Sequence, residues 1–393
     1  MGVLLLAVGV IVAAFVGYNI GGSSTGVAFG PAVGSKVVTK LSAAVLMSVF
    51  ALAGGLTVGR RVIDTMGGQI VPSSEFTLAA SIGVLFFVGL ALLVSNRYGV
   101  PASTSMTAVG SIAGLGAATD TLQMATMGKI VSAWLVAPLV AFWVCAVIGR
   151  DAYPYMDAAF SLDAAEGALL DWRAVGPLAY PVGVSGNATT KQFVASTLVV
   201  AIGCYMAFSA GASNAANAVA PLVGSGSLDA TVGVLLAGGA IALGAFTIAR
   251  RTLDTVGNGL TELPLLAALV VETVSASLIT SLSALGIPAS LAVSATMCIV
   301  GLGWGRATRS VRANDVLTSW REASVSVNAL GTERADTPGE VPEIGEENPA
   351  ELDAADLFDP DAVGRVVVLW VLTPSVAAAA SFALFSLVTA VTA

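Results

Sequence analysis

The chain contains one short stretch of small residues twice, and this duplication constrains the fold more than any other feature. Residues 22–35 read GSSTGVAFGPAVGS and residues 212–225 read ASNAANAVAPLVGS, at an offset of 190 without a gap. Each copy follows a long apolar run. Inside a bilayer, non-helical backbone survives only where it lines a cavity or is buried in protein. We therefore expect both copies to interrupt membrane helices, a pairing that points to a transporter's binding site.

The composition places the chain in a membrane. Its 393 residues are 56% hydrophobic and 11% charged, whereas about a quarter of the residues in a soluble domain are charged. The absence of His excludes imidazole metal sites and Ser-His or Cys-His catalysis. Cys145, Cys204 and Cys298 stand singly in apolar runs, which fits packing better than redox or metal chemistry. We predict an all-α polytopic membrane protein in a lipid bilayer, with no enzyme activity, cofactor, metal site or nucleic-acid partner.

The duplication extends over most of the chain. Three further pairs are RRVIDTMG at 60–67 with RRTLDTVG at 250–257, VPAS at 100–103 with IPAS at 287–290, and GKIV at 128–131 with GRVV at 364–367. Their offsets are 190, 187 and 236. This order predicts a first transmembrane repeat at 1–149, a cytoplasmic linker at 150–190 and a second repeat at 191–393, with about five membrane segments in each repeat.

The jump in the last offset marks an insertion in the second half at about 304–363. The insertion carries thirteen acidic and five basic residues. Its part from 324 to 361 has few aromatic residues and cannot bury enough apolar surface to order itself. A solvated, disordered cytoplasmic loop is expected, and a regulatory interaction segment is the alternative.

Five crossings in each half is an odd number, so the two halves are predicted to be inverted repeats. With the N-terminus outside, fourteen Lys and Arg residues lie on the cytoplasmic side, and only Arg60, Arg61 and Lys129 lie outside. This bias follows the positive-inside rule. We expect a multi-pass protein of the cell membrane with both termini outside.

The repeated stretches supply neutral hydrogen-bond donors but no Lys or Arg. Half-helix N-termini bind oxyanions without a basic side chain, and Pro followed by Ser suits a helix start. Four broken helices or re-entrant half-helices meeting near the midplane would cage a small tetrahedral anion. Close packing by small residues is the alternative. The substrate-binding candidates are Ser23, Ser24, Thr25, Ser103, Thr104, Ser213, Asn214, Asn217 and Ser290.

These motifs resemble the PiT family of inorganic phosphate transporters, which has a duplicated Gly-Ala-Asn-Asp-Val-Ala-Asn-Ala signature and a later Pro-Val-Ser-Thr-Thr-His motif. Residues 208–218, FSAGASNAANA, follow the signature with Ser213 at the Asn and Asn214 at the Asp. In the first half, residues 23–24 stand at the Asn-Asp pair and Val27 at the later Asn.

The second family motif is matched in both halves. Residues 101–106, PASTSM, match it with Met in place of His, and residues 288–291, PASL, match it more loosely. Residues 261–263 and Glu272 also resemble the family's second half.

Several carboxylates of the family pattern are missing. The two signature Asp residues, which the family uses for sodium and substrate, are replaced, and Ala51 stands where a Glu is expected. Glu272 remains the only carboxylate deep inside a predicted membrane helix, with Leu85 as its first-half counterpart. An intramembrane carboxylate is by default a functional candidate, here for sodium or proton coupling or a structural site. A location nearer the interface and a satisfied buried hydrogen bond are the alternatives.

The resemblance implies a secondary transporter that moves inorganic phosphate by alternating access around one midplane site. A sulfate permease on the same fold is the first alternative, because a site without carboxylates suits a fully deprotonated anion. A passive anion channel is the second. The sequence leaves open the coupling ion and whether the protein forms a homo-oligomer.

Overall fold

The computed structural model describes residues 2–97, 103–159, 170–175, 178–184, 190–247, 264–310 and 360–392. The described residues do not include the RRTLDTVG stretch at 250–257, residues 261–263, Pro101 or most of the acidic insertion. The first-half helices are α1 (Gly2–Gly34), α2 (Lys40–Leu56), α3 (Gly59–Asp64), α4 (Leu78–Arg97), α5 (Thr104–Ala118) and α6 (Met124–Val147), and the short helix α7 (Tyr153–Ala159) lies in the linker. The second-half helices are α8 (Thr190–Gly224), α9 (Ala230–Thr247), α10 (Leu265–Ala284), α11 (Leu291–Ala307) and α12 (Pro360–Thr392).

These helices confirm the predicted all-helical membrane class. Within the described residues, seven helices are long and apolar enough to cross a bilayer, or eight when α2 and α3 count as one bent span. The two short helices, α5 with 15 residues and α11 with 17, fall below the roughly 20 residues of a full span. The linker also holds a small antiparallel hairpin that the sequence did not predict, β1 (Leu170–Val175) with β2 (Leu178–Val184).

The expected breaks at the repeated stretches are wrong. Helix α1 continues through residues 22–34 and α8 through residues 212–224. Small side chains fit inside a helix as well as in a loop, and the hydroxyl of Thr25 bonds its own helix at the Gly21 carbonyl, 2.8 Å away. The break lies elsewhere, between α2 and the segment formed by α3 and the π-helical turn Thr65–Gln69, which meet at a bend of 59°.

Each half packs its first long helix against the other half's second. A Cβ built on Gly21 of α1 would lie 1.9 Å from the Ile241 carbonyl oxygen of α9. A Cβ built on Gly211 of α8 would lie 1.9 Å from the Ala51 carbonyl oxygen of α2. The two contacts are equivalent, because Gly211 is the second-half counterpart of Gly21, and Ala51 is the first-half counterpart of Ile241, each at the offset of 190. Such reciprocal contacts are the signature of a two-fold relation.

The equivalent helices α1 and α8 run antiparallel. A Cβ on Gly9, early in α1, would meet Leu222 late in α8 at 3.1 Å. A Cβ on Gly203, in the first half of α8, would meet Phe29 late in α1 at 3.0 Å. The two-fold axis therefore runs across these helices instead of along them, which makes the halves inverted repeats.

Each short helix likewise packs against a long helix of the other half. A Cβ on Gly114 of α5 would lie 2.3 Å from the Ala378 carbonyl oxygen of α12, and one on Gly301 of α11 would lie 2.1 Å from that of Phe142 in α6. These two contacts are again equivalent, at the offsets of 187 and 236 found in the sequence. Backbones approach this closely only where Gly stands.

The turns after α1 and α8 match as well. Lys36 and Gly226, at equivalent positions, both adopt a left-handed backbone, with φ of 62° and 70°. Thr39 then caps α2 by accepting from Ser42 N at 3.2 Å, and Asp229 caps α9 by accepting from Thr231 N at 2.8 Å. The backbone N–H groups of α9 hold the pKa of the Asp229 carboxyl below its ordinary value.

Candidate functional site

A buried polar cluster lies where α1, α5 and α8 meet. Its hydrogen bonds join three hydroxyl residues and two amides, with a fourth hydroxyl at the edge. Ser105, Ser213 and Asn217 are at most 1% exposed. The cluster consists of Ser24, Thr104, Ser105, Ser213, Asn214 and Asn217.

Asn217 lies at the centre of this cluster. Its Nδ2 lies 3.2 Å from Thr104 Oγ1, 3.1 Å from Ser105 Oγ and 3.1 Å from Asn214 Oδ1. Thr104 in turn donates to Asn214 Oδ1 at 2.7 Å. The amide oxygen of Asn217 is buried and has no hydrogen-bond partner in the described structure. The Nδ2 side of the amide is therefore hydrogen bonded, and the Oδ1 side, which we call the free edge, has no partner among the described residues.

The cluster is anchored to the irregular segment before α11. Ser213 Oγ lies 3.2 Å from Ser105 Oγ and donates to the Ala289 carbonyl oxygen at 2.7 Å. The next carbonyl back, that of Pro288, accepts from Trp134 Nε1 of α6 at 2.8 Å. The starts of the two short helices are therefore tied to the same face of α8.

The cluster also contains the two-fold axis of the repeats. Asn214 Nδ2 donates to Ser24 Oγ at 3.4 Å, and these two residues are equivalent at the offset of 190. Equivalent residues touch each other only close to the axis that relates them. A ligand held here would face both halves at once.

The starts of α5 and α11 are capped as the sequence predicts. Ser103 Oγ accepts from Met106 N at 3.2 Å, and Ser290 Oγ accepts from Val293 N at 3.3 Å. Because the repeated stretches are helical, the expected four helix starts reduce to these two. Thr104 and Ser105, in the first turn of α5, carry their hydroxyls into the cluster.

A small pocket lies beside the start of α11. Met106, Trp134, Pro138, Ser290 and Val293 are among its lining residues. It is mostly apolar, and Ser290 is the predicted candidate that faces it.

Glu272 lies apart from the cluster. It is 5% exposed in α10, and its Oε1 has no hydrogen-bond partner in the described structure. Ser275 and Ala276, one turn later, bond to Met206 and Ser209 of α8, a turn or more before Ser213. A satisfied hydrogen bond therefore does not explain this carboxyl oxygen.

The nine predicted substrate-binding residues fall into four groups. Five of them meet in the cluster: Ser24, Thr104, Ser213, Asn214 and Asn217. Ser103 and Ser290 serve as helix caps, Thr25 bonds its own helix, and the side chain of Ser23 is outside the described atoms. Ser105 was missed, although it belongs to the same PASTS stretch as Ser103 and Thr104.

No charged side chain takes part in the hydrogen bonds of the cluster, within the described part of the chain. Hydroxyls and amides can each donate and accept. The arrangement is therefore suited to a small oxyanion that is held by neutral donors on the axis.

Comparisons with known proteins agree with this architecture. The model of the phosphate transporter family matches residues 20–381. The sulfate permease CysP of Bacillus subtilis is 30% identical over 293 residues, which cover 74% of this chain and 75% of that protein. The chloroplastic inorganic phosphate transporter 2-1 of Arabidopsis thaliana is 25% identical over 78% of this chain and 67% of its own length.

A solved structure shows the same fold. A protein described as the sodium-dependent phosphate transporter superposes with a TM-score of 0.68 at 18% sequence identity. The alignment covers 98% of this chain and 99% of that one.

Proposed function

The chain belongs to the phosphate transporter family, and we propose that it is a secondary transporter that carries inorganic phosphate across the cell membrane. The observation that carries this proposal is the neutral cluster of hydroxyls and amides on the axis of two inverted halves. Hydrogen bonds to a charged acceptor contribute roughly 1.5–3 kcal/mol each. Donors from Thr104, Ser105, Ser213, Asn214 and Asn217 would together hold a doubly charged anion in a dry site.

The donors of the cluster are hydrogen bonded to other side chains of the cluster. Thr104 donates to Asn214, and Asn217 donates to both Asn214 and Thr104. An entering anion would take over these donors, so binding exchanges internal hydrogen bonds for charge-assisted ones. Affinity then depends on the whole network as well as on each donor in it.

The position of the axis supports the proposal of alternating access. A site between two inverted halves is reached from either side of the membrane when one half rocks against the other. Ser24 and Asn214 belong to different halves, and their 3.4 Å contact is the natural place for such a boundary to open.

Glu272 is the proposed coupling residue. A buried carboxylate oxygen without a hydrogen-bond partner, such as Glu272 Oε1, would be stabilised by a proton or by a bound cation. Glu272 is not part of the hydrogen bonds of the cluster among the described residues, so we propose that it acts on helix α10 and its neighbours instead of touching the anion. The coupling ion is sodium or a proton, and imposed gradients of each ion across proteoliposomes would tell them apart.

Sulfate is the second candidate substrate. Ser24 and Asn214 stand where the family pattern has Asp, so the cluster has no carboxylate to repel an anion that cannot donate a hydrogen bond. The 30% identity to a sulfate permease favours the same alternative.

Counterflow in proteoliposomes tests the proposal. Vesicles loaded with unlabelled phosphate should accumulate labelled phosphate faster than empty vesicles, because a carrier exchanges substrate without net flux. Labelled sulfate in parallel vesicles tests the second candidate. Uptake that is indifferent to the internal anion would indicate a passive channel, and no uptake of either anion would refute the proposal.

Orientation is a separate part of the proposal. We place both termini outside and the linker and insertion in the cytoplasm, on the basis of the Lys and Arg distribution. Protease cleavage of an N-terminal epitope tag in intact cells would support this orientation, and protection of the tag until cells are opened would contradict it.

A further inference from the structure

We propose that the site accepts tetrahedral dianions whether or not they carry a proton, because Asn217 presents the free edge of its amide to the substrate. The inference rests on the proposed function, since it requires the anion to be held at the cluster. It predicts one protein that transports both hydrogenphosphate and sulfate.

The free edge of Asn217 supports the proposed acceptance of both anions. The side chain is fully buried, three acceptor atoms lie within 3.2 Å of its Nδ2, and its Oδ1 has no partner among the described residues. A buried polar atom without a partner is uncommon in a folded protein and needs an explanation. A substrate that completes the hydrogen bonding of this edge supplies one.

The surroundings of Asn217 allow its amide to turn over. Two of the three neighbouring groups are hydroxyls, Thr104 and Ser105, which donate as readily as they accept. The third is the amide of Asn214, which can turn at the same time and donate to Asn217 Oδ1. Both orientations of the pair are therefore hydrogen bonded, and the free edge offers either a carbonyl oxygen or an N–H group.

The two anions need opposite groups at this edge. Hydrogenphosphate has one O–H donor, which the carbonyl oxygen accepts. Sulfate has four acceptor oxygens and no donor, so it requires the N–H. A carboxylate in the same place would only accept, and a site built to pair a substrate hydroxyl strongly rejects the analogue without one. An amide accommodates both.

Competition in proteoliposomes with the full-length protein is the first test. Sulfate should inhibit uptake of labelled phosphate competitively, with an inhibition constant within about tenfold of the half-saturating phosphate concentration, and labelled sulfate should itself enter. Phosphate uptake that ignores sulfate would overturn the inference and leave the proposed function standing. Sulfate uptake alone would overturn both, as would uptake of neither anion.

The Asn217→Asp variant is the second test. The Asp side chain has the same shape as Asn, but its deprotonated carboxylate can only accept hydrogen bonds. We expect sulfate affinity to fall at least about a hundredfold and phosphate affinity to fall less than tenfold. An equal loss for both anions would mean that Asn217 is only structural, and no change would place it outside the site. Both results contradict the inference.

Two further variants control for the added charge and for folding. Asn19→Asp adds a carboxylate to another buried helix asparagine, which bonds to the Phe15 carbonyl oxygen at 2.8 Å, and should leave the phosphate-to-sulfate ratio unchanged. Asn217→Ser keeps a side chain that both donates and accepts hydrogen bonds, so it should lower the affinities for phosphate and sulfate by similar factors. If Asn217→Asp does not insert, the wild-type competition and the Ser variant still decide the question.

Discussion

The surface formed by α5 and α8 differs sharply from its symmetry equivalent, the surface formed by α1 and α11. Thr104 and Ser105 of α5 face Asn217 of α8. At the equivalent positions, α11 has Leu291 and Ala292, and α1 has Val27. One of two related surfaces is thus polar, and the other has become apolar.

The packing contacts show no such divergence. The closest Gly contact between α1 and α9 and the closest one between α8 and α2 both place the added Cβ 1.9 Å from a carbonyl oxygen. Each of these two helix contacts must pack closely by itself, so both contacts must keep their Gly residue. A ligand on the axis is shared, so it needs each polar group only once, and the second copy is free to change.

The largest predicted effect tests the symmetric packing. Gly21→Leu and Gly211→Leu should each abolish correctly folded protein, because the Cβ alone would lie 1.9 Å from a backbone oxygen of the partner helix. We expect a loss of about 3 kcal/mol or more, measured as the fraction of monodisperse protein in detergent. Gly239→Leu in α9 is the control, because a Cβ there meets nothing within 4 Å. A large effect in one half alone would break the symmetry argument.

The next prediction compares Glu272 with its buried apolar counterpart, Leu85. Glu272→Gln should abolish uphill accumulation while counterflow continues, because the carboxylate is proposed to couple transport and not to bind the anion. Leu85→Met should change neither activity. Accumulation that survives Glu272→Gln would leave the carboxylate with a structural role only.

The third prediction compares Asn217 with Val27 at the same position of the other half. Asn217→Ala should raise the half-saturating phosphate concentration about ten- to hundredfold, the loss expected for one charge-assisted hydrogen bond. Val27→Ala should change it less than about twofold. Equal effects, at matched amounts of inserted protein, would mean that both positions only pack.

The sequence predicted the halves, their offsets and the capped starts at Ser103 and Ser290, because these depend on repetition and on local chemistry. It did not predict that residues 22–34 and 212–224 continue as helix. Small polar residues are compatible with a break or with close helix packing, and the carbonyl of Ile241 or Ala51 that decides between them comes from the other half. The role of Ser105 was hidden for the same reason, since its partners lie on α8.

The fourth prediction compares the equivalent tryptophans Trp134 and Trp370. Trp134 Nε1 donates to the Pro288 carbonyl oxygen at 2.8 Å, whereas the buried Trp370 Nε1 has no partner in the described structure. Replacement by Phe removes similar volume at both positions but breaks a bond only at Trp134. We expect Trp134→Phe to lower stability about 1 kcal/mol more than Trp370→Phe, measured by thermal unfolding in detergent. The reverse order would show that the indole bond is unimportant.

The smallest predicted effect is a gain, and it comes from making the first half more like the second. Lys36 and Gly226 hold the same left-handed turn, at φ of 62° and 70°. A side chain in this conformation costs roughly 1–2 kcal/mol, while a Gly costs about 0.5–1 kcal/mol in chain entropy on folding. Lys36→Gly should therefore raise stability by about 0.5–1 kcal/mol, seen as a small increase in the midpoint of thermal unfolding. Lys36→Ala removes the charge but keeps the Cβ, so it should give no gain. If both variants stabilise the protein equally, the charge of this exposed side chain is responsible and not the backbone, and the two turns are then equivalent in shape without being equivalent in strain.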